Sequence, residues 1–494
     1  MRKRFILSLI FLLSAAVILF QTVPTYGRYY FLDRKLAVDG YIQNQSSYRL
    51  GGESLVSCEN RFVVEADYAP FPNLSFYGSW RSLYDAVWDI RHDHGKFWDR
   101  YAHSGDRLEQ EQKLREFYGV IGMGKLNLRV GQQQIVWGES DGVRLMDIIN
   151  PLDMRRQFVA RDWSDIRRTM PALRATYDID PVRNWFLECV WIPDWKKDLI
   201  DVGDPVIEPD YNGPWSIPLP SLTFTPWGAP VIPSIKEDKK TRFSLNSSQY
   251  GGRMGIEIRG WFITLNYFHR FNHVPSTEFH GATPLWMGPT GPSLIPEPRP
   301  PDLIMLNLLQ RYYSMNIAGF TFNKSLGNLF ILRGEFALYP DEPVSSLNQA
   351  EHTDMVTRKA RLHSMLGFDA KQWIRWLNPQ QMISFSGQVF NFYTFDHEWG
   401  LVEGPYNQKL HQSTVFVSLK VNTDYNNARI SPDFLVVYDT TNSGWFLKPR
   451  VEFKYGDHWR PEIGALVFQG SGYKLPFNIM NPKDEFYFRL KYLF

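Results

Sequence analysis

Apolar and polar positions alternate with a period of two along much of this chain. Between residues 484 and 494, Phe486, Phe488, Leu490, Tyr492 and Phe494 share one face, and Tyr487, Arg489, Lys491 and Leu493 share the other. A strand sends successive side chains to opposite faces, so this stretch reads as a strand with one wholly apolar face. The same alternation sets Trp261, Ile263, Leu265 and Tyr267 against Phe262, Thr264, Asn266 and Phe268. It recurs with Trp445, Leu447, Val451, Phe453 and Tyr455 against Phe446, Lys448, Arg450, Glu452 and Lys454. Helical periodicity dominates no long region. Strand-like segments are read at 36–49, 60–68, 73–84, 114–122, 125–136, 171–179, 184–192, 250–258, 261–270, 311–322, 328–339, 361–371, 381–393, 411–422, 428–438, 444–455, 459–469 and 484–494.

The gaps between these segments alternate in length. Residues 69–72, 123–124, 180–183 and 259–260 are short connectors, whereas 85–113, 137–170, 193–249 and 271–310 are long. Outer-membrane barrels have this asymmetry, with tight periplasmic turns, long extracellular loops and an even strand count. The expected fold is therefore all-β: a transmembrane antiparallel β-barrel of about eighteen strands, with sixteen to twenty admitted by the uncertainty of boundaries. Charge facing lipid at mid-depth costs about 2–4 kcal/mol per residue, so the charged faces must point inward. Closure satisfies every strand hydrogen bond, which an open edge in lipid could not. The competing reading of an aromatic terminal strand is the last strand of a soluble sandwich.

Composition agrees. The chain has 494 residues and a net charge of only +2, so bulk charge points to no particular partner. Aromatics make up 16%, and amphipathic rings favour membrane interfaces. A mean hydropathy of −0.32 is too polar for a helical membrane protein. Arg2-Lys3-Arg4 followed by the apolar run 5–20 is the pattern of a secretory signal, expected over 1–27 and cleaved after Gly27, with the mature barrel at 28–494. A run of this length is short for a membrane span of about 20 residues. Export without further apolar runs leaves the periplasm, the cell surface or the outer membrane, and with the barrel pattern the expected location is the Gram-negative outer membrane. Cys58 and Cys189 are two isolated thiols that establish neither a bridge nor a metal site.

The stretch from Val130 to Phe158, VGQQQIVWGESDGVRLMDIINPLDMRRQF, leaves a strand at Trp137-Gly138-Glu139. Residues 141–150 suggest a short helix with Val143, Met146 and Ile149 on one side and Pro151 ending it. From Asp141 to Arg168 there are five Asp, six Arg and no Lys. Arg pairs bidentately with carboxylates through a planar fork, so such a loop suits fixed pairs in a confined space. The expectation is a loop over 137–170 that folds into the lumen as a plug or constriction. Its candidate residues are Trp137, Glu139, Asp141, Arg144, Asp147, Asp153, Arg155, Arg156, Arg161, Asp165, Arg167 and Arg168. The alternative is a solvated external loop cross-linked by surface pairs.

The run GQQQIVWGESDG…DIINPLDMRRQF resembles the central motif of an uncharacterised outer-membrane family of proteobacteria catalogued as domain of unknown function 1302. The resemblance extends to Gly40-Tyr41-Ile42 and to Gln388. It implies a β-barrel and carries Gly131, Gln133, Trp137, Gly138, Glu139, Asp147, Asn150, Pro151 and Asp153 as motif positions, read as structural. Its members' association with efflux-type transporters and lipid-binding proteins implies traffic in hydrophobic molecules.

The inward faces lean basic. Arg129, Arg174, Arg333, Arg450 and Lys454 are candidate lumen cations, set against acids such as Glu335, Asp369, Glu452 and Glu462. A positive excess favours anionic solutes, unless facing strands neutralise one another. The Pro-rich stretches 193–249 and 271–310 hold Trp195, Tyr211, Trp215, Phe224, Trp227, Phe279 and Trp286, suited to a lid or cap. No Gly-x-Ser-x-Gly, Walker loop, HExxH or CxxC occurs, so no catalytic residue, cofactor or metal is assigned, and His92-Asp93-His94 is only the nearest histidine pair. A rim hydrolase would leave no local signature. The leading expectation is a channel or transporter for a small hydrophobic or anionic molecule. The alternative is a non-conducting binding or assembly scaffold acting through its external loops. Expected partners are membrane lipid, the barrel assembly machinery through the strand ending at Phe494, and a periplasmic or efflux-type transport partner. No basic cluster supports nucleic-acid binding.

Overall fold

The computed structural model describes residues 28–51, 54–90, 108–156, 161–201, 215–217, 223–288, 291–293, 299–404 and 406–494. The expected signal segment 1–27, His92-Asp93-His94 and Tyr211 lie outside them. Eighteen strands hydrogen-bond in chain order into one closed antiparallel ring. They are β1 (Leu36–Arg49), β2 (Ser54–Phe71), β3 (Leu74–Asp85), β4 (Gln110–Met123), β5 (Leu126–Gln133), β6 (Met170–Asp180), β7 (Trp185–Ile192), β8 (Gln249–Ile258) and β9 (Trp261–Phe271). The ring continues through β10 (Ser314–Leu326), β11 (Phe330–Ser346), β12 (Val356–Gln372), β13 (Ile383–Thr394), β14 (Ser413–Asn422), β15 (Ile430–Asp439), β16 (Gly444–Phe453), β17 (Trp459–Gln469) and β18 (Glu485–Leu493). The ring closes by pairing β18 with β1, from Tyr41 opposite Leu493 to Arg49 opposite Glu485. Beyond the strand end, the Gly40 and Phe494 N–H groups each donate to the other residue's carbonyl at 3.1 and 3.0 Å. No edge is left, which is what hydrocarbon requires of a spanning sheet. No helix among the described residues is long and apolar enough to cross a membrane.

The two faces separate as the alternation requires. Phe486 and Phe488 lie exposed on the outer wall, while Tyr487 is buried inside and its hydroxyl donates to Glu462 at 2.7 Å. Inward charges are largely paired between neighbouring strands: Arg174–Glu188, Arg253–Glu188, Arg333–Asp369, Arg450–Asp433 and Arg489–Glu462.

Several expectations need correction. β5 ends at Gln133, so its loop starts earlier than Trp137. The expected helix over 141–150 is absent, and the chain there runs in bends. Glu335 of the wall accepts the Met146 N–H, which a helix there would have given to the Gly142 carbonyl; ahead of it, Glu139 also donates to Glu335 and Asp141 donates to Gln388 at 3.1 Å. A helix cannot form where acceptors from the wall replace the carbonyl four residues back. Within the Pro-rich stretches, Thr223–Phe224, Pro230–Glu237, Ser276–Gly288, Gly291–Ser293 and Leu303–Arg311 build a separate five-stranded sheet. Leu303–Arg311 was hidden because its apolar residues run in blocks, 303–306 and 308–309, rather than alternating. Lys454 falls beyond the end of β16. Cys58 and Cys189, for which the sequence established no bridge, are free thiols.

Candidate functional site

Between the end of β5 and the start of β6, residues 134–156 and 161–169 run inside the barrel. Its departure is set locally. Gly131 has φ +137°, and a Cβ there would collide with the Phe117 carbonyl. Asn150 accepts the Ile135 N–H at 2.7 Å and donates to the Arg168 carbonyl at 2.8 Å, holding the two ends of the loop together. A Cβ at Gly138 would lie 2.7 Å from the Asp147 nitrogen, so the chain can pass itself there only as glycine.

Two apolar clusters fasten the loop to the wall. Ile135, Trp137, Met146, Ile148 and Ile149 pack on Met170, Ala172, Val190, Ile192, Phe268, Met315, Ile317, Ala337 and Tyr339. Leu145 turns the other way, onto Met365, Phe390, Phe416, Val437 and Phe446. The last long loop folds inward too and adds Phe477, Ile479 and Met480 to that second cluster. Trp137 is buried edge-on to Phe268 at 5.6 Å, and its indole N–H donates to Glu188 at 2.7 Å.

Charged groups complete the attachment. On one wall, Arg333 of β11 reaches Asp141 at 2.8 Å and donates to the Glu139 carbonyl at 2.7 Å. The Glu139 carboxylate accepts from Asn323 of β10 at 3.0 Å. On the other wall, Arg61 of β2 pairs with Asp165 at 2.7 Å, and Arg115 of β4 donates to the Asp165 carbonyl at 2.7 Å. Glu59 of β2 gathers Arg61, Arg156 at 3.5 Å and Arg161 at 2.7 Å. Within the loop, Asp147 pairs with Arg144 at 3.1 Å and Arg167 at 2.6 Å, and Asp153 with Arg155 at 2.8 Å. Arg168 donates to the Lys197 carbonyl. Burial alone would push the Asp165 carboxyl up, but Arg61, Arg81, Arg161 and Arg115 hold it well below the usual carboxylate range. Asp153 is likewise held low against its burial by Arg155 and Lys113. Burial, with Arg61 beside it, brings Arg161 down to about 10.

Beside the loop lies a cavity of about 880 Å³. Asp141 to Arg144 and Arg161 to Arg167 bound one side, the inner faces of β12 to β16 bound the other, and Leu475, Pro476 and Phe477 roof it. Its polarity is graded. Phe392, Phe416, Val437 and Phe446 sit towards the long-loop end, whereas Lys420, Asp433, Lys448 and Arg450 sit towards the short-turn end. Seven Arg or Lys line it against four Asp or Glu, leaving an excess of positive charge.

The twelve loop candidates thus divide. Asp141, Arg144, Arg161 and Arg167 line the cavity. Trp137, Glu139, Asp147, Asp153, Arg155, Arg156, Asp165 and Arg168 hold the loop in place. Of the five lumen cations, only Arg450 lines the cavity. Arg333 pins the loop, Arg174 is committed to Glu188, and Arg129 faces Arg174 in the ladder while lying 4.5 Å over the Tyr118 ring. Lys454 is half-buried at the short-turn rim, where its N–H meets the Arg429 carbonyl. Sequence reasoning passed over Glu59, Arg61, Glu188, Arg361 and the inward-folded 475–480. The first four are ordinary inward strand positions, and nothing local marks the last. On the external loops, Glu351, His352 and Glu398 converge, with Glu398 held by His352 at 2.8 Å and Lys359 at 3.1 Å.

No curated protein sequence matches the chain. Among solved structures, it is similar to OccAB3 of Acinetobacter baumannii (10% identity, 93% of this chain and 99% of that one, TM-score 0.49). It is also similar to OccAB2 of the same organism (10%, 94% and 99%, TM-score 0.49) and to Pseudomonas aeruginosa OccK2 in complex with glucuronate (8%, 94% and 99%, TM-score 0.48). The profile of the protein family of unknown function DUF1302 matches residues 53–494, the region holding seventeen complete strands and the lumenal loop, and the chain belongs to that family.

Proposed function

We propose that this protein is an outer-membrane channel of a Gram-negative cell, whose lumen is divided by the loop 134–169. The cavity beside the loop then forms a broad path, and it selects a small molecule with an apolar body and an anionic group. The observation that carries this reading is the graded lining: phenyl rings above, an excess of cations below, in a space of about 880 Å³. That volume is in the range of small-molecule sites. The Arg and Asp residues of the loop act as a fixed partition rather than as the selectivity filter, because most are committed to one another or to the wall. Lipid covers the outer face, the strand ending at Phe494 addresses the assembly machinery, and a periplasmic or efflux-type partner would couple at the short-turn end.

Single-channel recording in planar bilayers tests this, with intact protein compared to a variant lacking residues 141–168. Small, anion-preferring currents that grow severalfold on deletion are expected. Silence from both proteins would overturn it. The external five-stranded sheet, with Phe224, Trp227 and Ile235 exposed, favours a second reading as a binding scaffold. Under that reading, removing the sheet abolishes a protein contact while the conductance of intact and deleted forms stays nil.

A further inference from the structure

The outer wall of the barrel carries a dent. Strands β14 to β18 turn apolar side chains outward here, around a cavity of about 510 Å³ on the lipid side. Its floor is one row of the sheet. Phe434 pairs with Pro449 and Ala465 with Phe486, and the register between β16 and β17 sets Pro449 beside Ala465. Two small side chains thus lie between two phenyl rings that are exposed on the outer wall. The next row, Leu419, Val436, Leu447 and Val467, is bulky throughout and lies on the long-loop side of the dent.

Towards the short turns the dent runs under an overhang. The two longest connectors at that end, 373–382 and 423–429, supply Leu377 and Tyr425 to its lining. They are tied to each other. The Tyr425 hydroxyl donates to the Leu377 carbonyl at 3.2 Å, and the Asn378 amide donates to the Thr423 hydroxyl at 2.8 Å and the Asp424 carbonyl at 2.9 Å. Trp373 and Trp376 stand exposed on the first connector, and exposed tryptophans of a membrane protein sit at the headgroup level. Each connector also carries an exposed arginine. Arg375 lies 5.9 Å from the Trp373 ring, and the Arg429 backbone N–H donates to the Tyr425 carbonyl at 3.1 Å. Among the described residues, neither guanidinium is ion-paired.

We propose that the dent and its overhang bind one phospholipid of the surrounding membrane, with an acyl chain laid along Pro449 and Ala465 and the phosphate held by Arg375 and Arg429. Lipid tails are as apolar as the wall, so apolar surface alone retains no particular lipid. A trough does retain one, because it surrounds a chain with contacts that a convex wall cannot offer, and small attractions sum over many atoms. Two guanidiniums at the headgroup level add charge-assisted hydrogen bonds to the phosphate oxygens. Both anchors act on the same molecule, so it exchanges more slowly than the lipids beside it. The proposal needs the barrel in a bilayer and does not rest on the channel reading.

Native mass spectrometry of the full-length protein tests it, with palmitoyl-oleoyl phosphatidylglycerol added to delipidated barrel in detergent. The expected result is one lipid retained per barrel under activation that strips all others. Ala465→Phe fills the floor of the dent, and the double variant Arg375→Ala, Arg429→Ala removes the phosphate anchor without touching a strand. Each should lower that retention at least tenfold. Val436→Phe, an outward position beside the dent, should leave it unchanged. Dihexanoyl phosphatidylglycerol, which has the same headgroup on short tails, should not be retained. Full retention by the Ala465→Phe or the double-arginine variant would overturn the site, and so would equal retention of the short-tailed lipid. An equal loss with Val436→Phe would overturn it as well, since any outward bulk would then displace lipid. A dimer that Ala465→Phe dissociates, with lipid retention unchanged, would make the dent a contact between copies instead. If Ala465→Phe fails to fold, the arginine pair, which lies outside the strands, decides the question.

Discussion

Arg61 and Arg333 stand on opposite walls of the barrel, nine strands apart in a ring of eighteen, and one loop is ion-paired to both. Asp165 meets Arg61 at 2.7 Å on β2, and Asp141 meets Arg333 at 2.8 Å on β11. The loop therefore crosses the lumen as a strut, and the space to one side of it is filled by an apolar cluster while the other remains open.

The two anchors should differ in strength. Arg61 and its partner Glu59 are almost fully buried, and breaking such a pair costs about 3–5 kcal/mol because the remaining charge is stranded. Asp141 is 46% exposed, so its pair with Arg333 contributes nearer to about 1 kcal/mol. Arg61→Ala is expected to lower the urea midpoint of the detergent-solubilised barrel markedly. Asp141→Ala should leave that midpoint nearly unchanged and instead produce larger, noisier single-channel currents, as that end of the loop detaches.

Acid should release the other end. Asp165 is held below its ordinary value of 3.8 in the docked loop. A detached loop binds a proton there more readily, so the docked state loses ground wherever the detached state binds more protons. The stabilisation is complete above about pH 5 and declines as the pH falls through the ordinary carboxylate range towards the depressed value. Conductance should be flat from neutral pH to about 5 and rise below about 4, and Asp165→Asn should show the high-conductance state already at neutral pH.

Lumenal selectivity should follow the cavity and not the loop. Lys448 lies at the cationic end of the cavity. Lys448→Glu changes the local charge by two units and should lower the chloride-to-potassium permeability ratio severalfold, read as a shift of reversal potential in a salt gradient. Arg155→Ala, whose guanidinium is occupied by Asp153 away from the cavity lining, should leave that ratio unchanged.

Phe494 closes the ring. Its backbone exchanges two hydrogen bonds with Gly40, and its ring stacks on Phe62 at 5.9 Å. Deleting Phe494 removes one rung from the β18–β1 seam, where no alternative pairing exists. The fraction of protein that runs as the compact, heat-modifiable form on electrophoresis should fall severalfold, whereas Phe494→Tyr should retain it.

Much of this architecture was legible in the chain because a membrane barrel writes its geometry locally. Lipid outside and a polar lumen inside impose a strict period of two, so eighteen segments, their order and their inward faces followed from alternation alone. The terminal strand at 485–493 and the paired turns needed no tertiary information. The density of Arg and Asp between 141 and 168 likewise marked a segment built for fixed pairs, because that composition has few other uses. The partners of those pairs were decided by the fold. Glu59, Arg61 and Arg333 lie on strands far away in sequence and meet the loop only because the ring closes and places β2 opposite β11. The absent helix over 141–150 has the same cause: Glu335 of the wall takes the Met146 N–H, which a helix would have given to the carbonyl four residues back. The cavity and its graded lining are properties of neighbouring strands in register, and register is a relation between strands that no single stretch of the chain contains.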